Sequence, residues 1–313
     1  MTYPASVRIY EVGPRDGLQN EATPISTADK LTYIGMLRAA GLREIEATSF
    51  VSPKAIPQLA DADEVMRNLT AKRDPAVRYP VLVPNERGLD RAIAAGANAL
   101  AVFTAASDEF TRRNIGMTID ESLAAFAPVL RRATELGWWR RAYVSTAFGC
   151  PFTGRVDVAK VVDVALRLDD LGVDEICIGD TIGVGVPSQV HALSQALTSA
   201  GIPLANVAYH FHDTRGTALA NVLAGLEDGV TCFDASTGGT GGCPYAPGAA
   251  GNLATEDLVY VLDGLGITHG VDLAKVIAAA RFAAAALKKP LTSKVGQAGG
   301  WDSATGARLL PGS

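Results

Sequence analysis

DLGVDEICIGDTIGVGVPSQVHALSQALTSAGIPLANVAYHFHD, residues 170–213, contains one complete unit of the architecture. It opens on a helix end and a glycine, Gly172, followed by the apolar β-rich run Glu175 to Ile178. A turn through Gly179-Asp180-Thr181 leads to a helical stretch, Ser188 to Ala200, and after Gly201 a second apolar run begins, Val207 to Phe211. Strand, helix, strand at this spacing is the sequence form of a crossover between two parallel strands.

The same pattern extends in both directions. Further β-rich runs are Val7 to Val12, Glu44 to Ser49, Tyr79 to Val83, Ala99 to Thr104, Ala142 to Ala147 and Val230 to Asp234, which makes eight in all. Between them lie helical stretches such as Ser26 to Ala40, Ala60 to Ala71, Ile119 to Leu136, Val156 to Leu171 and Ala218 to Glu227, several stopped by glycine. Eight such units point to a closed α/β (β/α)8 TIM barrel. An open doubly wound sheet would more often carry a Gly-rich phosphate loop after its first strand, and no GxGxxG follows Val12. Ala254 to Leu265 reads as the eighth helix and Leu273 to Leu287 as an extra C-terminal helix. Residues 1–295 then form a single domain, and residues 296–313, rich in Gly, Ser and Ala, a mobile tail.

With 48% hydrophobic and 19% charged residues, a chain of 313 residues can bury a large core. Its net charge of -5 argues against nucleic acid or an anionic membrane as partner. No apolar stretch approaches the length of a membrane span, and MTYPASVRIYEV lacks a signal-peptide apolar region. The four cysteines form no CxxC pair, and Cys177 and Cys232 sit in apolar runs as reduced core residues, so a cytoplasmic setting is expected.

Chemistry gathers at the expected strand ends, where a barrel of this kind places its active site. His210 and His212 alternate along a strand and so share a face, close enough to share a metal. Taken alone, such a pair is as readily two hydrogen-bonded structural histidines. With Asp16, from Gly13-Pro14-Arg15-Asp16-Gly17-Leu18-Gln19 after the first strand, it forms a 2-His-1-carboxylate set suited to Mg²⁺, Mn²⁺, Fe²⁺ or Co²⁺. Asp16 alone would serve as a turn or cap residue, and Glu46 and Asp180 as salt-bridged interior carboxylates. The glycine-rich stretch Gly238 to Gly251 reads as a lid, with Cys243 placed to reach substrate as acid or nucleophile.

The segments EVGPRDGLQNE, EATSFVSPKAIPQLADADEV, VLVPNERGLDRA, FTRRNI, GDTIGVGVP, HFHDTRGTALANV and GGCPYAPGAAGNLATEDLVYVLDGLGI, spread over residues 7 to 295, resemble the 3-hydroxy-3-methylglutaryl-CoA lyases of the metal-dependent aldolase and Claisen-type barrel group. The resemblance implies cleavage of 3-hydroxy-3-methylglutaryl-CoA to acetyl-CoA and acetoacetate, with Mg²⁺ or Mn²⁺ held by Asp16, His210, His212 and Asn252. It also implies that Arg15 polarises the thioester carbonyl, that Glu46 and Asp180 support the site, and that Gln19 and Tyr143 stand on the substrate side. His210 matches the catalytic histidine, and Cys243 acts in proton transfer. The implied partners are the CoA thioester and a second copy of the chain. Two departures from the family pattern are Arg215 in HDTRG, where tyrosine is usual, and DASTGGTGG before Cys243. Arg215 is expected to make a surface or helix contact. The alternatives are a lyase for a bulkier 3-hydroxy-3-alkylglutaryl-CoA and an acetyl-CoA-dependent condensing synthase. Cys243→Ala is expected to lower turnover far more than metal affinity; a fully active variant would remove Cys243 from the chemistry.

Overall fold

Parallel strands pair only side by side, so a run of eight must either leave two bare edges or close on itself. The computed structural model, which describes residues 3–72, 74–242, 251–290, 292–302 and 307–309, takes the second course. Its parallel strands are β1 (Arg8–Glu11), β2 (Glu44–Ile45), β3 (Thr48–Ser49), β4 (Val81–Leu82), β5 (Ala99–Ala105), β6 (Trp139–Ser145), β7 (Glu175–Asp180), β8 (Val207–Phe211) and β9 (Cys232–Ala235). They are ordered β2-β1-β9-β8-β7-β6-β5-β4-β3. The two ends of that order are halves of one run. The amide of Glu46 donates to Glu11 O at 2.9 Å, and that of Ala47 to Pro80 O at 3.0 Å. The second expected strand is therefore split but joins both neighbours, and the TIM barrel closes there.

Helices cover the outside, each amphipathic run placing its apolar stripe on the sheet. The eighth, Thr255–Gly264, and the additional helix Leu273–Leu287 lie where expected. The additional helix starts beside the first one, where Asp272 N donates to Ala40 O at 2.7 Å. The segment after Gly296, expected to be a mobile tail, begins inside a short helix, Lys294–Ala298. Gly300–Asp302 then pairs antiparallel with Ala307–Leu309.

β6 begins at Trp139 rather than at Ala142, and the physical reason lies inside the barrel. Arg141 is completely buried there, as are Tyr10, Cys177 and Cys232, with Tyr143 packed above them. Cys177 and Cys232 are free thiols, as expected. The Arg141 guanidinium stacks on the Tyr10 ring at 3.7 Å from its centroid, and its Nη2 donates to Asp234 at 2.5 Å. Its Nε lies 3.1 Å from Glu175, close but not aligned as a hydrogen bond. Arg8 reaches Glu175 and Glu44 from the amino end of the barrel. The axis of the barrel is thus a column of paired charges.

Removing one member of a buried ion pair leaves its partner desolvated and uncompensated. Arg141→Met is expected to lower unfolding stability by about 3–5 kcal/mol, read as a drop in the urea midpoint. An unchanged midpoint would show that the column does not carry the barrel.

Candidate active site at the carboxyl end of the barrel

The loop after β1 is set by Glu11, whose side chain points out of the barrel. Its carboxylate accepts from Gly13 N at 2.8 Å, from Thr237 N at 2.9 Å and Thr237 Oγ1 at 2.6 Å, and from Thr255 Oγ1 at 2.7 Å. Three segments distant in sequence are gripped by one buried acid. The π-helical turn Gly13–Gly17 that results holds Arg15 and Asp16 over the mouth of the barrel.

There Asp16, His210 and His212 converge, each offering a ligand atom within 4.8 Å of the others. The two imidazole centroids are 5.2 Å apart, as alternate positions on one strand require. Burial disfavours the Asp16 carboxylate, but Arg15 and the two imidazoles outweigh it and bring its pKa down to about 2. Burial, with His210 beside it, lowers His212 to about 4, leaving a neutral imidazole. His210 is raised above the ordinary range because its hydrogen bond to Asp234 and the nearby carboxylates outweigh burial.

Asn252 completes the group. It bridges to His212 through the backbone, and its Nδ2 donates to Asp16 Oδ2 at 2.9 Å and Thr240 O at 3.0 Å. Asn252 Oδ1 and His212 Nδ1 are buried with no hydrogen-bond partner among the described residues. An oxygen and a nitrogen left unpaired beside an ionised carboxylate fit a divalent cation, because burying such atoms unbonded otherwise costs free energy.

Asp16, His210 and His212 line a cavity of about 570 Å³ together with Arg15, Gln19, Tyr143, Phe103 and Phe126. Arg15 Nε donates to Glu46 at 2.6 Å and Nη1 to Asp16 at 2.8 Å. Tyr143 stands edge-on to the His210 ring, and its own ring faces the Arg15 guanidinium at 5.4 Å. Glu46 and Asp180 are fully buried outside the cavity lining. Glu46 backs Arg15. Asp180 accepts from Val184 N at 3.0 Å and Gly185 N at 2.8 Å, and burial raises its pKa. Arg215 donates to Ile182 O and Gly183 O at 3.0 and 2.8 Å, a loop contact outside the cavity lining.

Cys243 lies outside the described residues, but Gly242 lines the cavity, and its carbonyl accepts from Asn20 Nδ2 at 3.0 Å. The described ends of the glycine stretch, 238–242 and 251, are packed, and the rest of the stretch read as a lid lies outside the described residues. A Cβ on Gly241, whose φ is +94°, would lie 2.7 Å from Asn252 Nδ2, and one on Gly251 only 2.0 Å from Gly239 O. These glycines let two backbones close around Asn252.

The HMGL-like family model matches residues 6–283. The chain belongs to that family. It is 50% identical over 297 residues to the mitochondrial hydroxymethylglutaryl-CoA lyase of Bos taurus, covering 95% of this chain and 90% of that one. Among solved structures, the HMG-CoA lyase of Bacillus subtilis superposes with a TM-score of 0.92 at 46% identity, covering 95% of this chain and 99% of that one. An HMG-CoA lyase from Acinetobacter baumannii, in complex with coenzyme A and 3-methylmalate, superposes with a TM-score of 0.91 at 38% identity, covering 99% and 100%.

For this HMGL-like chain the sequence reading passed over Glu11, Arg141, Asp234 and Glu256. A charged residue inside an otherwise apolar run was the available signal at Asp234 in CFDA and at Arg141 in WRRAYVS. Glu256 is wholly buried and accepts from Gly238 N and Ser293 Oγ, which ties the glycine stretch to the C-terminal segment. Burial raises its pKa to about 7. Protons are then bound more tightly in the folded state, so stability is full below the unfolded value near 4.5 and falls as pH rises through 7. Relative to the parent, Glu256→Gln is expected to gain on the order of 3 kcal/mol between about pH 4 and pH 8. Parallel stability curves for the two proteins over that interval would exclude this.

Proposed function

We propose that this chain is a divalent-metal-dependent lyase that cleaves 3-hydroxy-3-methylglutaryl-CoA to acetyl-CoA and acetoacetate. The observation that carries the reading is the meeting of Asp16, His210 and His212 with Arg15 in one cavity. The high identity to hydroxymethylglutaryl-CoA lyases, and the coenzyme A bound by a similar enzyme, support it.

In this cleavage the C3 hydroxyl loses its proton, the C2–C3 bond breaks, acetoacetate departs, and the remaining thioester enolate is protonated at C2. A bound Mg²⁺ or Mn²⁺, held by Asp16, His210, His212 and Asn252, would lower the pKa of the hydroxyl and stabilise the charge that develops on its oxygen. Arg15, locked by Glu46 and Asp16, has its Nη2 uncommitted among the described residues and directs it at the thioester oxygen, where charge accumulates. Tyr143 and Gln19 line the acyl path.

His210 has its Nδ1 engaged by Asp234 and its Nε2 in the ligand set, so the hydroxyl proton leaves to water in the cavity, while Asp180, behind the wall, holds the loop through Val184 N and Gly185 N. Cys243, next to the cavity-lining Gly242, returns a proton to C2. Three buried free cysteines suit a reducing, cytoplasmic setting. A homodimer is the assembly the family resemblance suggests.

Acetyl-CoA release from 3-hydroxy-3-methylglutaryl-CoA is expected only when metal-stripped protein is resupplied with Mg²⁺ or Mn²⁺. Asp16→Ala and His212→Ala are each expected to lower it at least about 100-fold while the barrel stays folded by circular dichroism. Intact metal binding without turnover would favour a bulkier acyl-CoA or a condensing reaction.

A further inference from the structure

His210 is useful as a ligand only if its proton sits on the nitrogen that faces away from the cavity, and a neutral imidazole has no strong preference of its own. In this barrel that nitrogen, Nδ1, lies 3.0 Å from Asp234 Oδ2. Asp234 is 1% exposed and is held in turn, with Cys177 Sγ 3.4 Å from the same Oδ2 and Arg141 Nη2 donating to Oδ1 at 2.5 Å. Arg141 cannot turn away, since it is fully buried between the Tyr10 and Tyr143 rings, 3.7 and 5.0 Å from their centroids.

We infer that Asp234, oriented by Arg141, is the positioning residue that fixes the His210 tautomer, with the proton on Nδ1 and the Nε2 lone pair presented to the metal group. The inference rests on the reading of Asp16, His210 and His212 as metal ligands. It adds that ligand quality at the mouth of the barrel is set by an ion pair in the barrel's interior. A carboxylate suits the task because both of its oxygens accept: one takes Arg141, the other the imidazole N–H.

The geometry distinguishes this role from a merely structural one. In Asp234→Asn, side-chain volume is conserved, but Arg141 is donor-only and draws the amide oxygen to itself. The amide NH₂ must then face His210 Nδ1 and donate to it, which moves the imidazole proton to Nε2 and blocks ligation. If Arg141 is also changed, to Met, the amide is free to turn its oxygen to His210, and the productive tautomer returns. A second substitution would thus restore what the first removed.

Two measurements test this. With four histidines in the chain, ¹⁵N imidazole spectra of the metal-free protein near pH 9 report each tautomer. The parent is expected to carry the His210 proton on Nδ1, and Asp234→Asn on Nε2. Titration calorimetry with Mn²⁺ alone is expected to show affinity falling on the order of 10–100-fold in Asp234→Asn. Partial recovery is expected in Arg141→Met/Asp234→Asn. A proton on Nε2 in the metal-free parent overturns the inference without any variant. Unchanged Mn²⁺ affinity in Asp234→Asn, or a double variant no better than the single, overturns it as well. A parent that binds no Mn²⁺ sinks the ligand reading instead, while its tautomer still answers for Asp234.

Discussion

Buried charge needs a partner, and in this barrel the partners are stacked along the axis. Arg8 meets Glu44 and Glu175, Glu175 lies against Arg141, Arg141 holds Asp234, and Asp234 bonds His210. A barrel interior filled by branched apolar side chains would be indifferent to small rotations of each one. An interior of ion pairs is not, because every misalignment exposes a desolvated charge to a low-dielectric surround. The column therefore orders side chains over several layers, and its upper end is the imidazole face of the site.

Outside the barrel wall a second set of buried acids ties the loops. Glu11 joins the turn carrying Arg15 and Asp16 to Thr237 and Thr255, and Glu256 joins Gly238 to Ser293. Glu11 is satisfied by hydroxyl and amide donors of Gly13, Thr237 and Thr255. The glycines of the same region serve approach as much as motion. Around Asn252 the chains pass so closely that a methyl at Gly241 or Gly251 would collide with amide or carbonyl atoms.

Much of the site was legible because strand periodicity is strict. His210 and His212 had to share a face, and a loop rich in polar residues after the first strand had to open on the same end of the barrel. Asn252 was not legible from spacing, because its place beside Asp16 depends on a backbone bridge to His212 made after a long excursion of the chain. Asp180 and Glu46 had the right location but sit behind the cavity wall, since each carboxylate is turned to a nearby donor, two backbone amides in one case and Arg15 in the other. Arg215, which departs from the family's usual tyrosine, is engaged by two carbonyls of the neighbouring loop.

By itself the sequence determined the alternation of strands and helices, the parallel sheet, the number of units and the end on which chemistry gathers. Those follow from local periodicity and from chain connectivity, which forces a crossover between successive parallel strands. Tertiary structure alone decided how the barrel closes, through a second strand shared between two neighbours at Glu46 and Ala47. It also decided which buried charges face one another. Arg141 and Asp234 are 93 residues apart, and only closure of the sheet brings them within a hydrogen bond. Electrostatic pairing depends on distance in space and on loss of water, and neither is written in the spacing of residues along the chain.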